Sequence, residues 1–172
     1  MKISFHGAAR TVTGSKHLVQ LANGENFLLD CGLFQGLGRD TDSYNAAFGF
    51  DAKTVDFVIL SHAHIDHTGL LPKLAAEGFR GKIYCTPATK ALTEILLEDS
   101  AMIQRDDAKY KNKRLAREGM PQVEPLYTMD DVMCRVSVEC LQVAETGATP
   151  GVTRTVRSFK VRWQTDRGVG TA

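Results

Sequence analysis

The segment Ser61-His62-Ala63-His64-Ile65-Asp66-His67-Thr68-Gly69 constrains this chain more than any other. It gathers three of the five histidines and one aspartate, directly after the apolar run Asp56-Phe57-Val58-Ile59-Leu60. Such a run reads as a fully buried strand. In an extended segment, residues two apart point the same way, so His62 and His64 can grip one metal ion together. Once the chain turns into a helix after Thr68, Asp66 and His67 are redirected toward a second point nearby. Two divalent ions roughly 3.5–4 Å apart are the arrangement of many phosphate-ester hydrolases. Imidazole and carboxylate donors suit zinc, and iron or manganese are compatible with the same ligand types. A structural zinc site is closed by four ligands, normally with cysteine. No cysteine lies close to this motif in sequence, so the spacing predicts an open, catalytic site.

Upstream, Asn26-Phe27-Leu28-Leu29-Asp30 puts a carboxylate at the end of another buried strand, just before Cys31-Gly32. Asp30 has two readings. It can accept the free N–H of a ligand histidine and so hold that ring in one tautomer, or it is an ordinary turn aspartate. Spacing alone leaves both open.

The surrounding chain reads as an α/β layered domain. Its 172 residues suit one domain, and 43% hydrophobic with 24% charged residues is ordinary globular composition, which argues against disorder. The net charge of +1 points to no particular partner. The longest apolar runs are strand-sized, which predicts no membrane span. The N-terminal Met1–Gly7 segment shows no apolar signal region. Cys31, Cys85, Cys134 and Cys140 show no paired ligand spacing, so reduced thiols in a cytoplasmic protein are expected. Met1 to His6 reads as a strand. His17–Leu21 and Asn26–Asp30 flank the turn dipeptide Asn23-Gly24 as a hairpin. Residues 32–55 read as a long loop, and Leu70–Ala75 as a helix ending near Gly78. Lys82–Cys85 is a strand, followed by a long helix opened by Thr86 and Pro87. Ala91, Leu92, Ile95, Leu96, Met102 and Ile103 are the expected buried stripe of that helix, and a short helix is expected from Asp130. Between Arg105 and Glu118, six basic residues outnumber three acidic ones. A solvated helical face is the ordinary reading of such a run, and a basic surface facing an anionic substrate the sharper one.

At its histidine motif the sequence resembles the metallo-β-lactamase superfamily. His62-Ala63-His64-Ile65-Asp66-His67 matches the superfamily's metal motif, and Leu28-Leu29-Asp30-Cys31-Gly32 is similar to its upstream aspartate motif. Gly7-Ala8-Ala9-Arg10-Thr11-Val12-Thr13-Gly14-Ser15, Gly32-Leu33-Phe34-Gln35-Gly36 and Pro125-Leu126-Tyr127-Thr128 resemble the β-CASP branch of RNA-processing nucleases. The resemblance covers roughly residues 1–133. It implies the N-terminal half of an αββα sandwich, incomplete here, and zinc-dependent hydrolysis of RNA phosphodiesters. His62 and His64 would bind a first zinc, Asp66 and His67 a second, with Asp30 supporting the site and Asp66 steering the attacking water.

The family also uses a third histidine on the first zinc, a later bridging aspartate and a further histidine on the second. Outside the motif only His6 and His17 remain, and both precede it. Residues 134–172 show no match to the family's glycine-flanked histidine loop, although Phe159, Val161 and Trp163 alternate with Lys160 and Arg162 as in a strand. Two segments are therefore expected: a partial domain over 1–133, and an atypical tail over 134–172 produced by a frame change or early stop. Impaired zinc occupancy, little turnover and self-association through exposed apolar surface follow as expectations. A metallo-hydrolase of a small ester or thioester, or a non-catalytic metal-binding remnant, are the competing readings.

Overall fold

The computed structural model describes residues 1–36, 38–136, 138–143 and 156–159. Seven strands form one sheet in chain order: β1 (Lys2–Phe5), β2 (His17–Gln20), β3 (Asn26–Leu29), β4 (Phe57–Ile59), β5 (Lys82–Cys85), β6 (Val138–Val143) and β7 (Val156–Phe159). β1, β2 and β3 pair antiparallel, β3 through β6 run parallel, and β7 returns antiparallel. The β2–β3 hairpin turns at Asn23-Gly24. There Gly24 takes φ +92°, and the Asn23 side chain accepts from Glu25 N at 3.2 Å.

The two faces of the sheet have different fates. Across one face the register aligns Leu18, Leu28, Val58 and Ile83, all buried in the main core. Fully burying a side chain of this size contributes about 1.5–3 kcal/mol. The cover comes from α3 (Leu71–Ala76), α4 (Pro87–Arg117) and α5 (Met129–Arg135), which contribute Leu71, Leu74, Leu97, Ala101 and Val132 to the same core. The opposite face aligns Val19, Phe27 and Phe57. Phe27 and Phe57 stack with ring centroids 5.1 Å apart, Tyr84 meets Phe57 edge-on, and all three are only half-buried. An apolar sheet face in this state is what one half of a two-sheet sandwich presents.

The connections carry the remaining helices. α1 (Thr41–Ala46) lies within residues 32–55, expected above as a loop. It has no hydrophobic period to reveal it, because its anchor is polar. Buried Asn45 accepts from Phe34 N at 2.8 Å and donates to Phe34 O at 3.0 Å. α2 (Ile65–Thr68) is a single turn just after β4. Thr86 caps α4 by accepting from Thr89 N. Thr128 and Asp131 cap each other's backbone N–H groups at the start of α5, the reciprocal pairing open to a threonine followed three residues later by an acid.

One expectation for α4 is corrected. Its buried stripe is Thr89, Thr93, Leu97 and Ala101, whereas Ala91, Leu92, Ile95, Met102 and Ile103 are exposed. The spacing was helical, but two overlapping stripes satisfy it. The narrower one, with two threonines, faces the sheet because small residues let the helix approach closely. Val161, Trp163 and the turn-rich Glu145–Arg154 stretch lie outside the described residues. No helix among the described residues is long and apolar enough to cross a membrane.

Candidate metal centre

The histidine motif sits where β4 ends, beside the end of β3 at the same edge of the parallel strands. Ligand sites in open parallel sheets form at such carboxyl ends. Neighbouring loops hold its backbone in place. A helix as short as α2 leaves most of its last carbonyls without a partner inside it. Those of Asp66 and His67 accept from Ser15 N (2.8 Å) and Cys31 N (2.7 Å), and that of Ile65 accepts from Leu33 N (3.1 Å) as well as Gly69 N (2.8 Å). Gly32 lies in the middle of this seam, where a β-carbon would come within 1.6 Å of Asp66 O. Only glycine fits there. From the other side, the buried Lys16 ammonium donates to Gly32 O at 3.0 Å and lies 4.2 Å from the Phe34 ring centroid.

Asp30 is the polar hub. It is 3% exposed and takes the left-handed φ of +60°, a conformation aspartate tolerates better than most residues. Its Oδ1 accepts from Ser61 N at 2.8 Å. Its Oδ2 accepts from Ser61 Oγ at 2.9 Å and Ser15 Oγ at 3.3 Å, and lies 2.8 Å from His67 Nδ1.

These bonds fix ring orientation. A carboxylate that only accepts requires a proton on His67 Nδ1, and the bond turns Nε2 away from Asp30. Ser61 Oγ has one proton, committed to Asp30, so it accepts from His62 Nδ1 at 2.9 Å. Burial lowers the pKa of His62 first, and neighbouring His67 and His64 lower it further. Its Nε2 is the ring nitrogen not engaged by Ser61. The His62 ring lies 4.0 Å from that of His67 and 4.7 Å from that of His64, centroid to centroid. Asp66 Oδ2 is 3.6 Å from His67 Nε2.

The structure thus brings His62, His64, His67 and Asp66 to one place, with Asp30 beneath. Among the described residues, however, no three His, Cys, Asp or Glu side chains form a group that could hold a metal ion. Cys31, whose backbone N–H donates to His67 O, belongs to the apolar core, where burial pushes its thiol up to about 12. It supplies no thiolate. His6 and His17 make aromatic contacts with Phe50 and Phe5 respectively, and His17 Nε2 lies 3.5 Å from the Ser15 hydroxyl that bonds Asp30. Sequence reading passed over Ser61 and Ser15 as site residues. Their signal was position: one precedes His62, and the other lies in the glycine-containing loop that packs on α2.

The family model for the metallo-beta-lactamase superfamily matches residues 13–134. The chain is 44% identical over 151 residues to ribonuclease TTHA0252 of Thermus thermophilus, covering 88% of this chain and 33% of that protein. It is 36% identical over 134 residues to Integrator complex subunit 11 of Danio rerio, covering 73% of this chain and 22% of that one. Transcription termination factor FttA of Cenarchaeum symbiosum is 38% identical over 78 residues, 44% of this chain and 12% of its own length. The chain belongs to the metallo-beta-lactamase superfamily. It spans a third or less of the length of the curated relatives named here, and it carries that fold in part.

Membership implies a metal cofactor. The donor chemistry fits one: imidazoles with Nε2 freed by bonds at Nδ1, and an adjacent carboxylate. The donor count is what falls short.

Proposed function

We propose that this chain is the N-terminal part of a zinc-dependent hydrolase of RNA phosphodiester bonds. The observation that carries the reading is the gathering of His62, His64 and His67 at the end of β4, with His67 held through Nδ1 by buried Asp30. In support stand relatives named a ribonuclease, an Integrator subunit and a transcription termination factor. His62 and His64 would hold one ion, and Asp66 and His67 a second. A divalent ion there supplies Lewis-acid stabilisation of charge building on phosphorus-bound oxygens.

The chain's own residues have separate tasks. Asp30 orients His67 and keeps its proton on Nδ1, and Ser61 does the same for His62 while bracing Asp30. Asp66, the half-buried carboxylate of the motif, would orient an attacking water and take its proton at Oδ2. Cytoplasmic residence accords with buried Cys31 and Cys85. The exposed apolar side chains of α4 give the chain a surface for self-association.

A second reading, a non-catalytic metal-binding remnant, is favoured by one observation: the described donors do not close around an ion. Elemental analysis of the purified chain, paired with cleavage of labelled single-stranded RNA and turnover of a thioester, separates the readings. Bound zinc lost in His62→Ala, with weak metal-dependent RNA cleavage, supports the nuclease part. Bound zinc without cleavage selects the remnant. Thioester turnover above RNA cleavage selects the small-substrate hydrolase, and absence of bound metal removes all three.

A further inference from the structure

The second half of α4 is unlike the first. A 31-residue helix is about 46 Å long, and its buried residues Thr89, Thr93, Leu97 and Ala101 all fall in the first half. From Arg105 to Arg117 no residue is buried. The helix there is an arm held from one side by the returning chain. Asn112 donates to Val123 O at 2.9 Å and accepts from Val123 N at 2.8 Å, and Gln104 accepts from Leu126 N at 3.1 Å.

Some of the arm's charges are compensated: Lys111 pairs with Asp42 at 3.2 Å, and Arg105 and Lys109 both reach Asp106. Tyr110, Lys113, Arg114 and Arg117 share one face, at helical spacings of three, four and seven, with Asp106 one turn before Tyr110 on the same face. Tyr110 is 78% exposed. Lys113 and Arg117 have no ion-pair partner among the described residues, and Arg114 reaches only Glu118, at 3.8 Å. No acidic residue occurs between Ala108 and Arg117. The arm thus leaves two cations, Lys113 and Arg117, unpaired among the described residues, beside an exposed aromatic ring that no core contact explains.

We infer that this face of the α4 arm binds single-stranded RNA, with Lys113, Arg114 and Arg117 on successive phosphates and a base stacked on Tyr110. The proposal rests on the nuclease reading for its choice of anion. Chemistry argues for single strands, since a base must be unpaired to offer its flat surface to an exposed tyrosine. A duplex or an acidic protein would use the cations and leave the ring idle.

The test is fluorescence anisotropy of the purified chain with a short labelled oligouridine, at several salt concentrations and in EDTA, so that binding is read without cleavage. Neutralising the three cations (Lys113→Gln, Arg114→Gln and Arg117→Gln together) should flatten the slope of log affinity against log salt by about two. Tyr110→Phe should bind like the parent, whereas Tyr110→Ala should bind about tenfold more weakly with the slope unchanged. Lys113→Arg with Arg114→Lys and Arg117→Lys, which keeps the charge, should bind like the parent and guards against a folding artefact. Absence of binding by the parent chain, or equal binding by the neutralised variant, overturns the inference. So does polyglutamate or duplex RNA competing as well as the single strand with Tyr110→Ala silent. Metal-dependent cleavage that survives these variants would leave the nuclease reading standing alone, and EDTA-resistant binding with no cleavage in metal would do the reverse.

Discussion

Asp30 Oδ2 lies 2.8 Å from His67 Nδ1, joining residues 37 positions apart in the chain. The bond ties the end of β3 to the turn after β4 and sets which nitrogen of His67 faces outward. Asp30→Ala would leave the Ser61 N–H without its acceptor and His67 free to rotate. Loss of about 2–4 kcal/mol of stability is expected, with zinc affinity falling roughly 10–100-fold. Urea denaturation and zinc titration of the variant measure both. A variant that unfolds and binds zinc like the parent would contradict the assignment of Asp30 as the hub.

Gly32 is expected to tolerate no side chain. A β-carbon 1.6 Å from Asp66 O forces the seam between the Cys31–Leu33 segment and α2 apart, so Gly32→Ala should lose about 3 kcal/mol or more. Gly24→Ala is the contrasting case: it has open space but a φ of +92°, and about 1 kcal/mol is expected. Comparing the two denaturation midpoints tests whether close packing, more than turn geometry, is what the site requires.

Lys16 should make stability depend on pH. Burial, with the charge of Lys73 adding to it, lowers its amine from 10.5 to about 8, while Cys31 nearby acts the other way. Between those values the unfolded chain holds a proton that the folded chain lacks, so stability contributed by this group rises with pH through the window. Below about 8 the penalty is complete, on the order of 3 kcal/mol before the Gly32 bond and Phe34 contact offset it. Cys31 and Tyr127, each held up near 12 by burial, act in the opposite direction above their unfolded values. The difference between Lys16→Met and the parent removes most of their effect. That difference should favour the variant near neutral pH and shrink by about 2–3 kcal/mol toward about pH 10. A difference that stays flat with pH would show that the amine is not titrating in this range.

Metal content should follow the histidines while the fold does not. His64 is exposed and His62 half-buried, so replacing both with alanine should change the metal-free stability by less than about 1 kcal/mol. Bound zinc should nevertheless disappear. In the parent, a chelator should lower the melting temperature by the amount that ligand linkage dictates for the zinc present. Equal zinc in parent and double variant would move the binding site elsewhere.

Leu92, Ile95 and Ile103 stand 55%, 65% and 54% exposed along one face of α4. Glutamate at Leu92 and Ile95 should shift sedimentation toward the monomer without loss of helix. An unchanged sedimentation profile would remove this face as the route of association.

The cluster was legible in outline because histidines and carboxylates gathered at a strand end and a tight turn also crowd together in sequence. The His62–His67 motif and Asp30 therefore stood out without a structure. Ser15, Ser61 and Lys16 did not, since a hydroxyl or amine becomes part of a site only through what lies opposite it. The α4 stripe failed for a related reason. Leu92, Ile95 and Ile103 fit a helical period as well as Thr93, Leu97 and Ala101 do, and periodicity cannot say which face meets the sheet.

From its order of residues alone, this chain determined where its strands and caps begin, which donors crowd after β4, and which superfamily it joins. Those are local properties, governed by side-chain chemistry, backbone preference and spacing. Only the tertiary structure decided that Asp30 and Ser61 bond the imidazoles, that Gly32 must be bare, and that the arm of α4 leaves Lys113 and Arg117 unpaired among the described residues. Each of these depends on distances between segments far apart in the chain, and such distances exist only once the sheet has been assembled.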